Sequence, residues 1–317
     1  MTKIAFLVML LVTVLACLLP AVPAQAQAAR TFVSAAGSDS NNCTNVATPC
    51  RHFAAAYAAT AANGEIDVLD PANYGSLIIT GPVSIEGHGW ASITPAAYSA
   101  AFIIRANAGD KINIIGVVLD GTGIEYTNGI EFYSGGSLTV RDSIIRNFVD
   151  CGILFAPNNS SQLFVSKTLV SDNGYIGISI QSAGPGTVTG VLDHVQIENN
   201  ASDGLNANTG LTGTQAINIT VTDSVSAHNK TRGIAVDSYG PFPVSIMVRN
   251  STIANNTFQG LVADITDATI LITRSTITGN STAWDTFAGG VVASYGDNNI
   301  DGNTSAPAEP SNPLTYK

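Results

Sequence analysis

The sequence predicts an all-β fold, a parallel β-helix in which short strands stack coil upon coil, preceded by one short capping helix. Three observations carry this. A glycine followed by an apolar-x-apolar run recurs as Gly129-Ile130-Glu131-Phe132, Gly152-Ile153-Leu154-Phe155, Gly177-Ile178-Ser179-Ile180, Gly204-Leu205-Asn206-Ala207, Gly233-Ile234-Ala235-Val236, Gly260-Leu261-Val262-Ala263 and Gly290-Val291-Val292-Ala293, at intervals of 23, 25, 27, 29, 27 and 30 residues. Between these markers runs a second phrase, VRDSIIRN, VSKTLVSDN, LDHVQIENN, VTDSVSAHN, VRNSTIANN and ITRSTITGN, which ends near Asn147, Asn173, Asn200, Asn229, Asn256 and Asn280. Its alternation has period 2, that of a half-buried strand. Finally, only 11% of the 317 residues are charged while 30 are Gly, against an ordinary charged share of about 25%.

One such unit cannot bury its apolar side alone. Stacked, each inward side chain lies on its own equivalent about 4.8 Å away, and neighbouring coils satisfy every strand N–H and C=O. Aligned asparagines would then form an amide ladder, with Ser143, Thr168, Ser224, Ser251 and Ser275 stacking beside it, interrupted by Val195. An antiparallel sandwich has no need of one residue type at one position of every repeat.

Taken in order, residues 1–26 read as an export signal: Lys3, an apolar run from Ile4 to Leu19, then Ala24-Gln25-Ala26 with cleavage expected after Ala26. The alternative is a lipoprotein anchored at Cys17, for which Leu15 is bulky. The run is short for a membrane span, which needs about 20 apolar residues, and no later segment is longer. Residues 27–65 hold a strand, a loop and a helix. Cys43 and Cys50 bracket NNCTNVATPC with no His at zinc-finger spacing, so in an oxidising compartment they are expected to form a disulfide. His52 to Ala62 reads as an Ala-rich helix stopped by Asn63-Gly64, placed to cover the open end of the stack. Residues 66–304 form the β-helix, with IDVLD, GSLIIT, PVSIEG, SAAFIIRA and INIIGVVLDG as its early strands, and 305–317 are a Pro-punctuated extended tail.

The segments Arg30-Thr31-Phe32-Val33-Ser34, Gly37-Ser38-Asp39 and Pro49-Cys50-Arg51, followed by the Ala-rich helix and IDVLDPANYG, resemble the N-terminal signature of bacterial right-handed parallel β-helix repeat proteins of the pectate-lyase-like superfamily. The resemblance covers the mature chain and implies a right-handed helix. It is specific for fold and silent on activity, since lyases, hydrolases, epimerases and adhesins share that fold. Gly87-His88-Gly89 matches a polygalacturonase tripeptide, but without the acidic motifs that precede it there; a turn between strands is the better reading.

Net charge of −10 excludes a phosphate-backbone footprint, hence nucleic acid as a partner. The strand after each Gly places Tyr133, Gln181, Asn208, Asp237 and Asp264 outward in one row and Asn206 in another, with Asp203, Arg232 and Gln259 just before the Gly. This lining suits sugar hydroxyls. Asp237 and Asp264 occupy equivalent positions of adjacent coils, and carboxylates about 5 Å apart repel by about 1 kcal/mol in water and about 3 at an effective dielectric of 20. The pair would take a shared proton or a Ca²⁺ ion, or serve as a glycosidase's acid and nucleophile, which in retaining enzymes lie about 5 Å apart. Arg232 against Asp203 would hold a uronate carboxylate. The plainer reading is a solvated pair and a surface salt bridge. His194 beside Asp223, in a corner row with Asp142, Lys167, Asn250 and Arg274, reads chiefly as cross-coil pairing. Cys151 lacks a partner and reads as a packed thiol.

The expected protein is secreted or periplasmic, binds an extended polysaccharide or envelope glycan or serves as an extracellular structural module, and requires no cofactor. The alternative is a carbohydrate-active enzyme, a Ca²⁺-dependent uronate lyase or a glycoside hydrolase, using Asp203, Asp237, Asp264 and Arg232.

Overall fold

A computed structural model of the chain describes residues 27–209 except 124 and 126, 214–305 and 312–314. The expected export signal and Cys17 lie outside the described residues, as does most of the tail. Every strand pairing is parallel, and the coils wind as a right-handed solenoid. Nine strands, from Leu77–Ile79 to Thr282–Phe287, make the smaller sheet. The larger sheet covers two faces, because the early strands Val83–Ile93 and Lys111–Asp120 run through both before later coils break at a corner.

That corner is a column of residues with positive φ, namely Asp142, Lys167, His194, Asp223, Asn250 and Arg274. Each sharp bend strands backbone groups. The buried hydroxyls after it resolve this, for Ser224 Oγ donates to Thr222 O at 2.7 Å while accepting the Val195 N–H at 3.0 Å, and Ser251 and Ser275 repeat the arrangement. The expected Ser/Thr column is therefore present, with Val195 buried in its gap. Gly87-His88-Gly89 continues the corner upward as a bulge inside one strand instead of a turn between two, with His88 and Gly89 at φ 54° and 77° and a register shift between Glu86 and Ala91.

The asparagine ladder runs Asn173, Asn200, Asn229, Asn256, Asn280 and Asn303, each Nδ2 donating to the next Oδ1 at 2.9–3.0 Å. Each Oδ1 also accepts the backbone N–H of the preceding rung. Asn147 is not a rung: it sits one residue earlier, in a second positive-φ column with Asp172, Asn199, His228 and Asn255, and Phe148 takes its place under Asn173.

The repeated glycines are not turn residues either. None of Gly129, Gly152, Gly177, Gly204, Gly233 or Gly260 has positive φ; a Cβ at Gly204 would lie 2.7 Å from both the Asn229 Nδ2 and the Gly233 carbonyl oxygen, and Gly177 and Gly233 meet their own rungs at 2.7 and 2.8 Å. Glycine is required because a Cβ would run into a neighbouring side chain, the next coil's carbonyl oxygen and, from Gly152 onward, the ladder amide together; at Gly204 the first of these is the Ser226 Oγ. The last expected marker fails for the complementary reason. Val291–Ser294 pairs with Thr269–Ile272 in the larger sheet, and the ninth strand of the smaller one is Thr282–Phe287, which has Ala283 at the glycine position. No strand of the smaller sheet lies beyond it among the described residues, so no further strand there presents the carbonyl oxygen that a Cβ meets at the earlier glycines, and the fully buried Ala283 is accommodated.

At the other end the helix Phe53–Ala59, shorter than expected because Thr60–Val68 is already strand, buries Phe53 against Tyr74 and Phe102 at ring distances of 5.3 and 6.3 Å. Cys43 and Cys50 are joined by a disulfide. Ala28–Val33 pairs with Thr60–Val68, so the stack begins before the helix. At the far end Asn312–Pro313 pairs with Ala293–Ser294.

Because glycine and asparagine columns share space, their substitutions should couple. Asn229→Ala takes the acceptor from the Asn200 backbone N–H and leaves the Asn200 amide with only the Val170 carbonyl at 3.4 Å, for an expected loss of about 1–3 kcal/mol; Gly204→Ala overpacks the same spot for about 1–3 kcal/mol. In urea unfolding the double variant should lose clearly less than the sum. Strict additivity would show the two columns to be independent.

Candidate functional site

On the outer side of the smaller sheet, strands Leu205–Asn208, Ile234–Asp237 and Gln259–Asp264 lie side by side with Asn208, Asp237 and Asp264 in register. The residues expected there divide into a tightly bonded cluster and a row leading to it.

Asp203 lies at the centre and is 2% exposed. Its Oδ1 accepts the Arg232 Nε at 2.9 Å, the Arg232 backbone N–H at 3.2 Å and the Thr231 hydroxyl; its Oδ2 accepts the Arg232 Nη2 at 2.6 Å and the Asn206 amide at 3.4 Å. Asp203 and Arg232 therefore form a bidentate, buried pair. The surface salt bridge of the plainer sequence reading is corrected on the Asp203 side, which is buried, while the Arg232 side chain stays 27% exposed. With its lone pairs taken, Asp203 fixes Arg232, and breaking such a buried pair would leave an uncompensated charge.

Asp237 stands at the other end of the Arg232 strand. Its Oδ2 accepts the Asn206 Nδ2 at 2.8 Å, and its Oδ1 lies 3.6 Å from the Arg232 Nη1. The net effect raises its carboxyl above the usual range: burial dominates, Asn206 and Arg232 oppose it, and the charges of Asp203 and Asp264 add to it. The sequence-predicted carboxylate pair is thus in place, with Asp264 half-buried and making no ion pair among the described residues. Arg232 behaves oppositely; burial works against its charge, but the hydrogen bonds and charge of Asp203 outweigh it and hold the guanidinium protonated.

Asn208 donates to the Asn206 Oδ1 at 2.8 Å, and one coil back Gln181 donates to the Ser179 Oγ at 3.1 Å. Tyr133, four coils from Asp237 and about 19 Å away at strand spacing, belongs to a separate group in which its hydroxyl donates to Glu131 and Arg105 lies 5.3 Å over its ring. Gln259 turns away from the pair to donate to Asp285 at 2.8 Å.

Asp285 and Phe287, in the ninth strand, take the places in register with Val262 and Asp264. Sequence reasoning also passed over two half-exposed tyrosines, Tyr175 ahead of the Gly177 strand and Tyr239 just beyond Asp237. The Tyr239 phenol is pushed up by burial and then by Asp237 and Asp264, and the Tyr175 phenol is near enough to add to this. Exposed aromatic residues beside a repeat's polar strand were the available signal.

His194 Nδ1 donates to the Asp193 Oδ1 at 2.8 Å, not to Asp223, whose oxygens take Asn250 and Thr222. Within the corner row Asn250 bonds Asp223 across coils, while Asp142 pairs with Arg141 beside it. Cys151 is buried, its thiol pushed up to about 12, chiefly by burial.

A parallel solenoid with a polar row along one stacked sheet defines the class. The chain belongs to the right-handed beta helix region family, whose model matches residues 128–305. No curated protein matches it. Among solved structures it is similar to pectate lyase Pel9A, with TM-score 0.56 at 14% identity over 91% of this chain and 80% of that one. It is also similar to the A-module of the Azotobacter vinelandii mannuronan C-5 epimerase AlgE4, with TM-score 0.46, 12% identity and coverage of 80% and 91%. A rhamnogalacturonan lyase follows, with TM-score 0.45, 11% identity and coverage of 80% and 75%. The likeness to pectate lyase Pel9A shows the fold. No helix among the described residues is long and apolar enough to cross a membrane.

Two outcomes follow from the electrostatics. Asp237 binds its proton more tightly folded than unfolded, so its contribution to stability falls as pH rises from its ordinary value of 3.8 through its raised one. The stability difference between Asp237→Asn and wild type, followed by urea melts from pH 3 to 7, should therefore shift in favour of the variant as pH rises; a flat difference would contradict the raised carboxyl. Cys151 should resist iodoacetamide at pH 8 in the folded chain and react on unfolding, as peptide mapping would show.

Proposed function

We propose that the protein is an exported β-helix that binds an extended polysaccharide along its smaller sheet, acting as an extracellular or envelope module. One observation supports this above others: Gln181, Asn208, Asp237 and Asp264 follow one another in register, one strand spacing apart, with the half-exposed Tyr239 just beyond Asp237 and Tyr175 within electrostatic reach of it. Fixed amides and carboxylates suit sugar hydroxyls, and aromatic faces suit the apolar faces of sugar rings. The fold shared with pectate lyase Pel9A agrees with an extended-polymer platform.

A second reading, a uronate lyase or glycoside hydrolase, draws on Asp237 alone: a carboxyl that holds its proton to higher pH beside a second carboxylate matches the needs of acid and base catalysis. In that reading Asp237 and Asp264 are also the candidate Ca²⁺ ligands. Asp203 would act by positioning Arg232.

Titration calorimetry against neutral and acidic oligosaccharides, with and without Ca²⁺, tests the proposal. Tyr239→Ala and Asn208→Ala should each weaken binding about tenfold, or about 1.4 kcal/mol; absence of binding across the panel would refute it. Release of reducing ends or unsaturated uronates, lost in Asp237→Asn, would replace it by the enzymatic reading.

A further inference from the structure

On the reading that this sheet holds an extended polysaccharide, we propose that the preferred sugar carries primary amines: a de-N-acetylated aminoglycan whose ammonium groups seat against Asp264 and Asp237, with the sugar rings on Tyr239 and Tyr175.

The charge balance of the face leads there. Three carboxylates, Asp203, Asp237 and Asp264, share one guanidinium, and both the Nε and Nη2 of Arg232 already lie on Asp203. The Nε–Nη2 edge is thus spent on Asp203 and the Nη1 faces Asp237, so the cluster keeps an excess of carboxylates that disfavours a uronate. Asp237 and Asp264 are in register on adjacent strands, so their repulsion is built into the stack and a ligand cation between them relieves it.

The kind of cation follows from the number of oxygens on offer. Ca²⁺ takes six to eight oxygen ligands. Here the Asp237 Oδ2 is occupied by Asn206, leaving its Oδ1 and the Asp264 carboxylate, and among the described residues the one group of three metal-capable side chains within reach of each other is Asp193, His194 and Asp223 at the far corner. An ammonium donates only three hydrogen bonds. Two carboxylates and a hydroxyl or water complete it, and a tyrosine face beside it adds a cation–π attraction. Asp264, half-buried at the surface of the pair, is the carboxylate a ligand meets first, with Asp237 beneath it.

The folded full chain would be titrated at pH 6 with a β-1,4-glucosamine hexamer, the N-acetylglucosamine hexamer, a galacturonate hexamer with and without Ca²⁺, and a lysine hexamer. The glucosamine hexamer should bind about tenfold tighter than its acetylated counterpart, a preference that weakens with salt. Asp264→Asn, checked for wild-type far-UV CD and melting, should abolish the preference, and Tyr239→Ala should weaken both hexosamine ligands. Equal binding of the acetylated hexamer would overturn the ammonium inference while leaving the polysaccharide reading standing. So would tightest binding of galacturonate with Ca²⁺, or a preference untouched in Asp264→Asn. A lysine hexamer matching the glucosamine hexamer would overturn it by showing charge without sugar recognition, and silence of every sugar would remove both readings together.

Discussion

The fold depends on one shared volume, the space between the repeated glycine of one coil and the asparagine amide that follows. The ladder amide bonds its own kind above and below and accepts a backbone N–H at the same time, so three polar groups per coil that would otherwise be buried unpaired are satisfied. That works only if the chain returning to the smaller sheet passes close to the amide, and a Cβ on it would collide. Glycine and asparagine are therefore two halves of one device. The serine column at the opposite corner does the same for the bend at Asp223 and its equivalents, donating to a carbonyl two residues back and accepting from the coil before. Between these two polar seams the core is aliphatic, with Phe132 and Phe155 stacked at 4.5 Å.

A stack of this kind penalises charge. Any ionised side chain placed in a column meets its equivalent at strand spacing, and unless the next coil carries the opposite sign the two repel. The corner column obeys, passing from Asp142 to Lys167 and ending with Arg274, while Asn250 caps Asp223. Arg232 over Asp203 obeys as well. Low charge is in this way a property of the architecture and carries little information about partners.

What was legible in the sequence was whatever the stack forces to recur. The coil period, the smaller-sheet strands from Ile130 to Asp264, the Asn and Ser columns and the in-register carboxylates all follow from repetition. The failures lie where the forcing stops. Ala283 and Trp284 take the places of the glycine and the aliphatic residue in the ninth strand, beyond which the smaller sheet has no further strand among the described residues, and Gly290 imitates the missing marker from a different sheet. Asn147 resembled a rung because the second positive-φ column favours asparagine too. The burial of Asp203 and the places of Tyr175 and Tyr239 were not legible, since they depend on how the variable loops and the columns before each glycine fold over the sheet, and those segments share no common pattern.

Asp237 is then the position at which the architecture and the site part company. Its column already carries an asparagine one coil earlier, at 208, and an asparagine at 237 would still accept the hydrogen bond from Asn206 through its Oδ1 without opposing Asp264. For folding alone the neutral residue is the better choice. Arg232 compensates only in part, because two of its donors are bound to Asp203 and the third stands 3.6 Å from Asp237. A carboxylate held where the stack disfavours it, beneath a second one and beside an exposed ring, stores an electrostatic imbalance that a cationic or proton-donating partner can relieve. The physical case for function on this face rests on that imbalance more than on the row of polar side chains, which the architecture would tolerate in any event.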